Sequence, residues 1–307
     1  MKKEESNNYR FNSIADGHRA FGLPNPKHPL ISLVSNVDPN AIGAPGSHIL
    51  GFYKISYKPQ MSGKLKYGQH YYDFEGGGLL FVAPNQVLGH AVDEETKFGF
   101  CSQYTLLIHP DFFLGYPLAK KIKEYGFFSY SANEGLHLSD EERETIISIF
   151  RMMETELNSR IDDFSHDVVI SQIELLLTFS NRFYKRQFIT RKAISNDLLQ
   201  KMEELLDNYF NDEVLLRKGV PTVAYLAAQL NLSPSYLSDM LRSLTGQSAQ
   251  QHIHDRLIDK AKEILSTTTL SVGEIAYALG FEYAQSFSKL FKSKTSFSPL
   301  EFRQQFN

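Results

Sequence analysis

The stretch TVAYLAAQLNLSPSYLSDMLRSLTG, residues 222–246, returns in altered letters as SVGEIAYALGFEYAQSFSKLFKSKTS over residues 271–296. Val223, Ala227 and Leu230 recur forty-nine positions later as Val272, Ala276 and Leu279, while Leu241 and Thr245 recur fifty positions later as Phe291 and Thr295. The turn of the second copy is therefore one residue longer. Each copy reads as a short helix with a small alanine where a partner must come close, a break (NLSPS or GFEYA), and a second amphipathic helix. That is the helix-turn-helix pattern.

In the first copy Leu237, Leu241 and Leu244 fall at i, i+4 and i+7 and are expected to face inward, which leaves Ser235, Tyr236, Ser238, Asp239 and Arg242 on the outer side. In the second, Phe287, Leu290 and Phe291 face in, and Gln285, Ser286, Lys289 and Lys292 face out. Outward amides, hydroxyls and amines are the groups that bond base edges and phosphates in a major groove wide enough for one helix. Between the copies, SAQQHIHDRLIDKAKEIL opens on Ser248 and spaces Ile253, Leu257, Ala261, Ile264 and Leu265 as one continuous helix. Such a rod spans roughly 27 Å, close to the ~34 Å between successive major-groove faces of one duplex. The duplication thus predicts a single polypeptide reading two adjacent grooves of double-stranded DNA, with reading helices at about 234–245 and 284–294.

Residues from about 221 to 306, and above all LSVGEIAYALGFEYAQSFSKLFKSKTSFSPLEFRQ, resemble the AraC/XylS family of bacterial transcription regulators. The likeness lies in an EIA helix, a GF turn, an FSKLFK reading helix and a terminal SPLEFR. The resemblance implies a DNA-binding domain of seven helices, an N-terminal cupin-like domain for sensing or dimerisation, and RNA polymerase as a partner. The PNQVLGH segment, residues 84–90, is similar to a turn found in many such N-terminal domains. Carried over position by position, the resemblance puts base-reading roles on Ser235, Ser238 and Asp239 in the first helix and on Ala284, Gln285, Ser286 and Lys289 in the second. Arg242 and Lys292 are placed for phosphate. Two residues depart from the family pattern. Asp239 stands where a basic or amide side chain is frequent, and an acid repels phosphate and accepts only from a cytosine amino group. Ser296 stands where glycine is usual after the reading helix, at a cost of about 1 kcal/mol if the backbone there is left-handed.

The rest of the chain has a different texture. Up to about residue 118, short apolar runs such as HILGFYKISY, QHYYDF, GGLLFVAP and YTLLIHP are cut by turn residues and read as strands of a small antiparallel sandwich or barrel, with one more strand in NQVLGH or DEETKFGF. Pro24, Pro26 and Pro29 predict an ordered extended loop before them. From Ser139 the pattern turns helical: SDEERETIISIFRMMETELNS places Ile146, Ile149, Phe150, Met153 and Leu157 on one face, and SHDVVISQIELLLTFSNRFYKR places Val169, Ile173, Leu176 and Leu177 on another. Together they predict a helical hairpin over about 139–185 and a dimer contact. The expected organisation is an α+β protein: a cupin-like antiparallel β domain with its hairpin over 1–186, a linker over 187–200, and an all-α double helix-turn-helix domain over 201–307.

Composition limits the alternatives. A net charge of −3 announces no nucleic-acid binder, so the DNA reading rests on local pattern. From residue 221 onward Arg242, Arg256, Lys260, Lys262, Lys289, Lys292, Lys294 and Arg303 nearly balance the acids, which predicts modest affinity supported by dimerisation or tandem sites. No run of about twenty apolar residues predicts a membrane span, and one cysteine, Cys101, forms no internal disulfide, so a cytoplasmic protein is expected. His70, His90 and His109 stand alone, and His252 and His254 on the connector point apart at i, i+2, so neither a metal nor any other cofactor is expected. EGGGLL reads as a turn entering a strand, and the chain holds no GxSxG or HExxH arrangement, which leaves catalysis without candidates. Tyr53, Tyr67 and Tyr71 are the residues that would line a cavity for a small-molecule effector, against the plainer reading of strand aromatics as core. The competing assignment is a cupin-like enzyme or binding protein whose helical half serves as an interaction module. It requires convergent ligands or acid/base residues in the β half.

Overall fold

The computed structural model describes residues 8–35, 47–59, 65–67, 70–72, 77–88, 102–131, 134–159, 162, 164–190, 192–212 and 218–305. The chain divides into two compact units, residues 1–187 and 188–307.

The first unit is built on strands β1 (Asn8–Phe11), β2 (Ile31–Ser35), β3 (Ser47–Leu50), β4 (Tyr53–Lys58), β5 (Leu65–Tyr67), β6 (His70–Tyr72), β7 (Gly78–Val82), β8 (Val87–Leu88), β9 (Tyr104–Ile108) and β10 (Leu136–His137). Five of them form an antiparallel sheet in the order β10-β7-β4-β9-β2. A second sheet, β1-β3-β8, pairs β1 with β3 in parallel, so the expected all-antiparallel domain is in part mixed. The run HILGFYKISY is two strands in two sheets, and Gly51 is the physical reason. Its N–H donates to the Phe11 carbonyl at 2.7 Å, and a Cβ there would meet the Asn12 backbone at 3.1 Å. Of the NQVLGH segment only Val87–Leu88 form a strand; DEETKFGF, Cys101 and His90 lie outside the described residues.

Alternation along the strands gives the main sheet two different faces. Tyr53, Ile55 and Tyr57 share one with Leu79, Phe81, Tyr104, Leu106 and Ile108, all buried. Phe113, Phe127, Phe128, Phe150 and Tyr184 complete that core; Tyr104 stacks on Phe150 at 5.1 Å, nearly parallel. The other face carries Leu107, which packs with Ile14, Leu50 and Phe52. Ile14 belongs to the short helix α1 (Ile14–Ala20), whose start is capped by the Ser13 hydroxyl accepting from the Asp16 N–H at 3.1 Å. The Pro-rich run between α1 and β2 is irregular, as its prolines predict.

Helix α2 (Leu118–Lys121) leads to the hairpin of α3 (Asp140–Asn158) and α4 (Ser165–Thr190). Ser139 opens α3 with a full capping box: its hydroxyl accepts from the Glu142 N–H, and the Glu142 carboxylate accepts from the Ser139 N–H at 3.0 Å. The same carboxylate pairs with Arg186 near the end of α4, and Arg186 also donates to the His137 carbonyl at 2.9 Å. Ile146, Ile149, Phe150 and Met153 are buried, with Leu157 half-buried, as are the predicted Val169, Ile173, Leu176 and Leu177 stripe. Of residues 187–200, expected to form a linker, the described ones are helical: 187–190 finish α4 and 192–200 lie in α5 (Lys192–Asn211).

The second unit holds seven helices among the described residues. After α5 come α6 (Val223–Gln229), α7 (Pro234–Thr245), α8 (Ala249–Thr267), α9 (Val272–Ala278), α10 (Ala284–Thr295) and α11 (Pro299–Arg303). Nearly every entrance is capped by a hydroxyl: Thr222, Ser233, Ser271 and Ser298 accept from amides three residues on, and Glu274 and Glu301 reach back to Ser271 and Ser298. Those bonds hold both carboxyls below the usual carboxylate range. On α8, Ile253, Leu257, Ala261 and Leu265 are buried, with Ile264 half-buried. Arg303 donates to the carbonyls of Leu265 and Leu270, closing the far end of α8.

Candidate nucleic-acid interface

The two halves of the duplicated pattern fold alike. In each, a seven-residue helix turns into a twelve-residue one, and the turn carries a single left-handed residue, Asn231 in the first and Gly280 in the second. Between cap residues the first turn runs Leu230 to Ser233 and the second Leu279 to Tyr283, so the extra residue sits where the alignment of the copies puts it. Gly280 has no substitute: besides its φ of +86°, a Cβ would approach the Gly219 backbone to 2.7 Å. Both long helices end in threonine hydroxyls bonded to the carbonyls of Leu241 and Phe291, followed by left-handed Gly246 and Ser296. Ser296 thus adopts, at φ +67°, the backbone that favours glycine.

The outer faces differ. On α7 Ser235, Ser238 and Asp239 are half-buried and Arg242 is exposed. Tyr236, expected outside, is buried, its ring edge-on to Phe188 at 5.1 Å; it leaves the interface and joins the core. Leu244 and Leu290 are half-buried rather than core, and Met240 takes the buried position between Leu237 and Leu241. Arg242 donates to Asp239 at 2.8 Å, so the acid that would repel phosphate carries its own counter-charge. On α10 Ala284 is half-buried while Gln285, Ser286, Lys289 and Lys292 are all exposed. Tyr283 begins this helix without a side-chain cap, and its ring stands 63% exposed. Lys294 is not part of an open basic cluster with Lys289 and Lys292, because Asp255 on α8 binds it at 2.7 Å.

The paired histidines of α8 turn to separate neighbours, His252 to the Thr245 hydroxyl at 2.9 Å and His254 to Gln250 at 2.8 Å. Desolvation holds both imidazoles below their ordinary value. Among the described residues no three His, Cys, Asp or Glu side chains gather as a metal requires. In the first unit Tyr53 is a core residue: 7% exposed, edge-on to Phe128 at 5.1 Å and Phe113 at 6.0 Å. Tyr67 and Tyr71 lie in the hairpin of β5 and β6, in register with His70 and Lys66. No helix of the described residues is long and apolar enough to cross a membrane.

A family profile described as a helix-turn-helix domain matches residues 226–305, from within the first copy through the whole of the second. The arabinose operon regulatory protein of Escherichia coli is 38% identical over 81 residues, 26% of this chain and 28% of that one. An uncharacterized HTH-type transcriptional regulator in the cgkA 5' region of Pseudoalteromonas carrageenovora is 31% identical over 115 residues, 37% of this chain and 63% of that one. The matches therefore span less than two thirds of these relatives. Among solved structures, the C-terminal domain of the two-component response regulator yesN from Fusobacterium nucleatum is 33% identical, covering 33% of this chain and 96% of that one; its TM-score of 0.29 adds no argument. The profile and these relatives meet on the doubled helix-turn-helix, so the C-terminal unit carries a DNA-binding domain of the AraC/XylS type.

Proposed function

We propose that the protein is a sequence-specific, double-stranded DNA-binding transcription regulator that reads two successive major grooves with α7 and α10. The observation that carries this reading is the doubled unit itself: two equal polar-faced helices on one nineteen-residue connector, about 28 Å long. Ser235, Ser238, Asp239, Ala284, Gln285, Ser286 and Lys289 are its base-facing residues, and Arg242 and Lys292 hold phosphate. The relatives' names, which are those of operon and transcriptional regulators, point to the same activity and to a regulator rather than an enzyme. The resemblance to the AraC/XylS family adds RNA polymerase as a partner, and the site of action in this reading is the cytoplasm.

The N-terminal unit serves as a cupin-like dimerisation and sensing domain. Phe164, just ahead of α4, and Val168 and Leu175 on it are exposed, with Met152 exposed on α3. Such exposed apolar side chains on a hairpin suit an isologous contact with a second copy. With Tyr53 in the core, Tyr67 and Tyr71 remain the candidates for touching a small-molecule effector.

Selection of bound duplexes from a random pool tests the central claim. Two short boxes about one helical turn apart are expected; recovery of no preferred sequence at low salt overturns it. Light scattering reads the dimer, and a ligand-dependent thermal shift reads the effector.

A further inference from the structure

Asp255 sits on the connector and turns one carboxylate oxygen to a side chain in the second reading helix and the other to Gln247, whose own N–H donates to the Thr245 hydroxyl of the first at 3.2 Å. Its Oδ2 accepts from Gln247 Nε2 at 3.0 Å, just beyond the first reading helix. Its Oδ1 accepts from Lys294 Nζ at 2.7 Å, in the last turn of the second. The side chains are 40% and 29% exposed for Asp255 and Lys294, where an ion pair contributes little to folding. What two directional bonds add is orientation. Besides His252, which bonds the Thr245 hydroxyl of the first helix at 2.9 Å, the reading helices bury apolar side chains such as Leu237, Leu241, Phe287 and Phe291, and apolar burial has no preferred direction. Left-handed Gly246 and Ser296 end the two helices.

We propose that Asp255 is a positioning residue that fixes the angle between the two reading helices and so sets the spacing of DNA boxes the protein accepts. This rests on the two-groove reading above. One base pair of added spacing moves a box by about 3.4 Å along the duplex and about 34° around it. A braced pair of helices rejects such a shift, and an unbraced pair follows it. Asp255 also withdraws Lys294 from phosphate, which explains why a third lysine in the FSKLFKSK helix does not extend the basic face.

The test uses the full chain and fluorescence anisotropy on duplexes carrying both selected boxes at the selected spacing, at spacings longer or shorter by one and two base pairs, and singly. For the unaltered protein each one-pair change weakens binding by about tenfold or more, of the order of losing a base contact. In Asp255→Ala, and independently in Lys294→Met, that penalty falls to about threefold or less, while single-box affinity stays within about twofold. An Asp255→Ala protein that keeps the full spacing penalty overturns the inference, as does one that loses single-box binding, which marks a merely structural role. An unaltered protein with no preference for paired boxes overturns the two-groove reading, and the inference with it.

Discussion

The two helix-turn-helix units are near copies in backbone and unequal in what they offer DNA. The first has turned inward: Tyr236 is in the core, Asp239 and Arg242 answer each other, and Ser235 and Ser238 are half-covered. The second stands open, with Gln285, Ser286, Lys289 and Lys292 exposed beyond an uncapped helix start. A duplicated fold therefore need not divide a task evenly. The comparison predicts that the second unit supplies most of the sequence-reading energy and the first a weaker, differently selective contact.

The sharpest way to break the comparison is at the turns. Gly280→Ala combines a left-handed backbone with a Cβ driven into Gly219, and should cost about 3 kcal/mol or more in thermal or denaturant melts. Asn231→Ala, at φ +56°, meets only the conformational penalty, about 1 kcal/mol. Equal losses at the two sites would remove the asymmetry of the turns. Next in size is binding. Lys289→Ala should weaken the selected site by about 1–3 kcal/mol and relax preference within one box, whereas Lys292→Ala should weaken specific and nonspecific DNA alike and lower the salt slope by about one. Matching losses from Ser238→Ala would show the first unit to be an equal reader.

Smaller effects sharpen the picture. Ser296→Gly should stabilise the chain by about 1 kcal/mol, and Gly246→Ala should destabilise it by a similar amount, since open space around Gly246 leaves only the backbone penalty. The smallest effect concerns pH. His252 and His254 are held below 6.5 by desolvation, so the unfolded chain takes up protons first; stability is full above pH 6.5 and declines as pH falls through the lowered folded values. Melts between pH 7.5 and 5 should show that slope, reduced in His252→Gln and His254→Gln. The first unit should feel it more, because His252 is bonded to Thr245 at the end of its reading helix.

What was legible in the sequence follows the range of the forces involved. Helical periodicity and caps are local, so α3, α6 to α10 and the serine caps at Ser139 and Ser248 could be read directly, and even Ser296 declared its left-handed site by replacing a glycine. Partners far along the chain could not be read. Tyr236 looks like a surface residue until Phe188, forty-eight positions upstream in what reads as linker, supplies a ring to cover it. Lys294 looks like one of a cluster with Lys289 and Lys292 until Asp255, thirty-nine positions away, takes it. Sheet membership is equally non-local: HILGFYKISY has one composition, and only the approach of β1 to Gly51 divides it between two sheets. The strand Asn8–Phe11 is too short to announce itself without its partner.

Arg303 gives the chain an order of completion. The carbonyl oxygens of Leu265 and Leu270 wait on a guanidinium encoded 38 and 33 positions later. A nascent chain leaving the ribosome finishes its connector only after residue 303 has emerged, by which time both reading helices have been synthesised. A polypeptide cut off before that residue keeps every group assigned to DNA yet lacks the guanidinium that meets the Leu265 and Leu270 carbonyls where the connector ends.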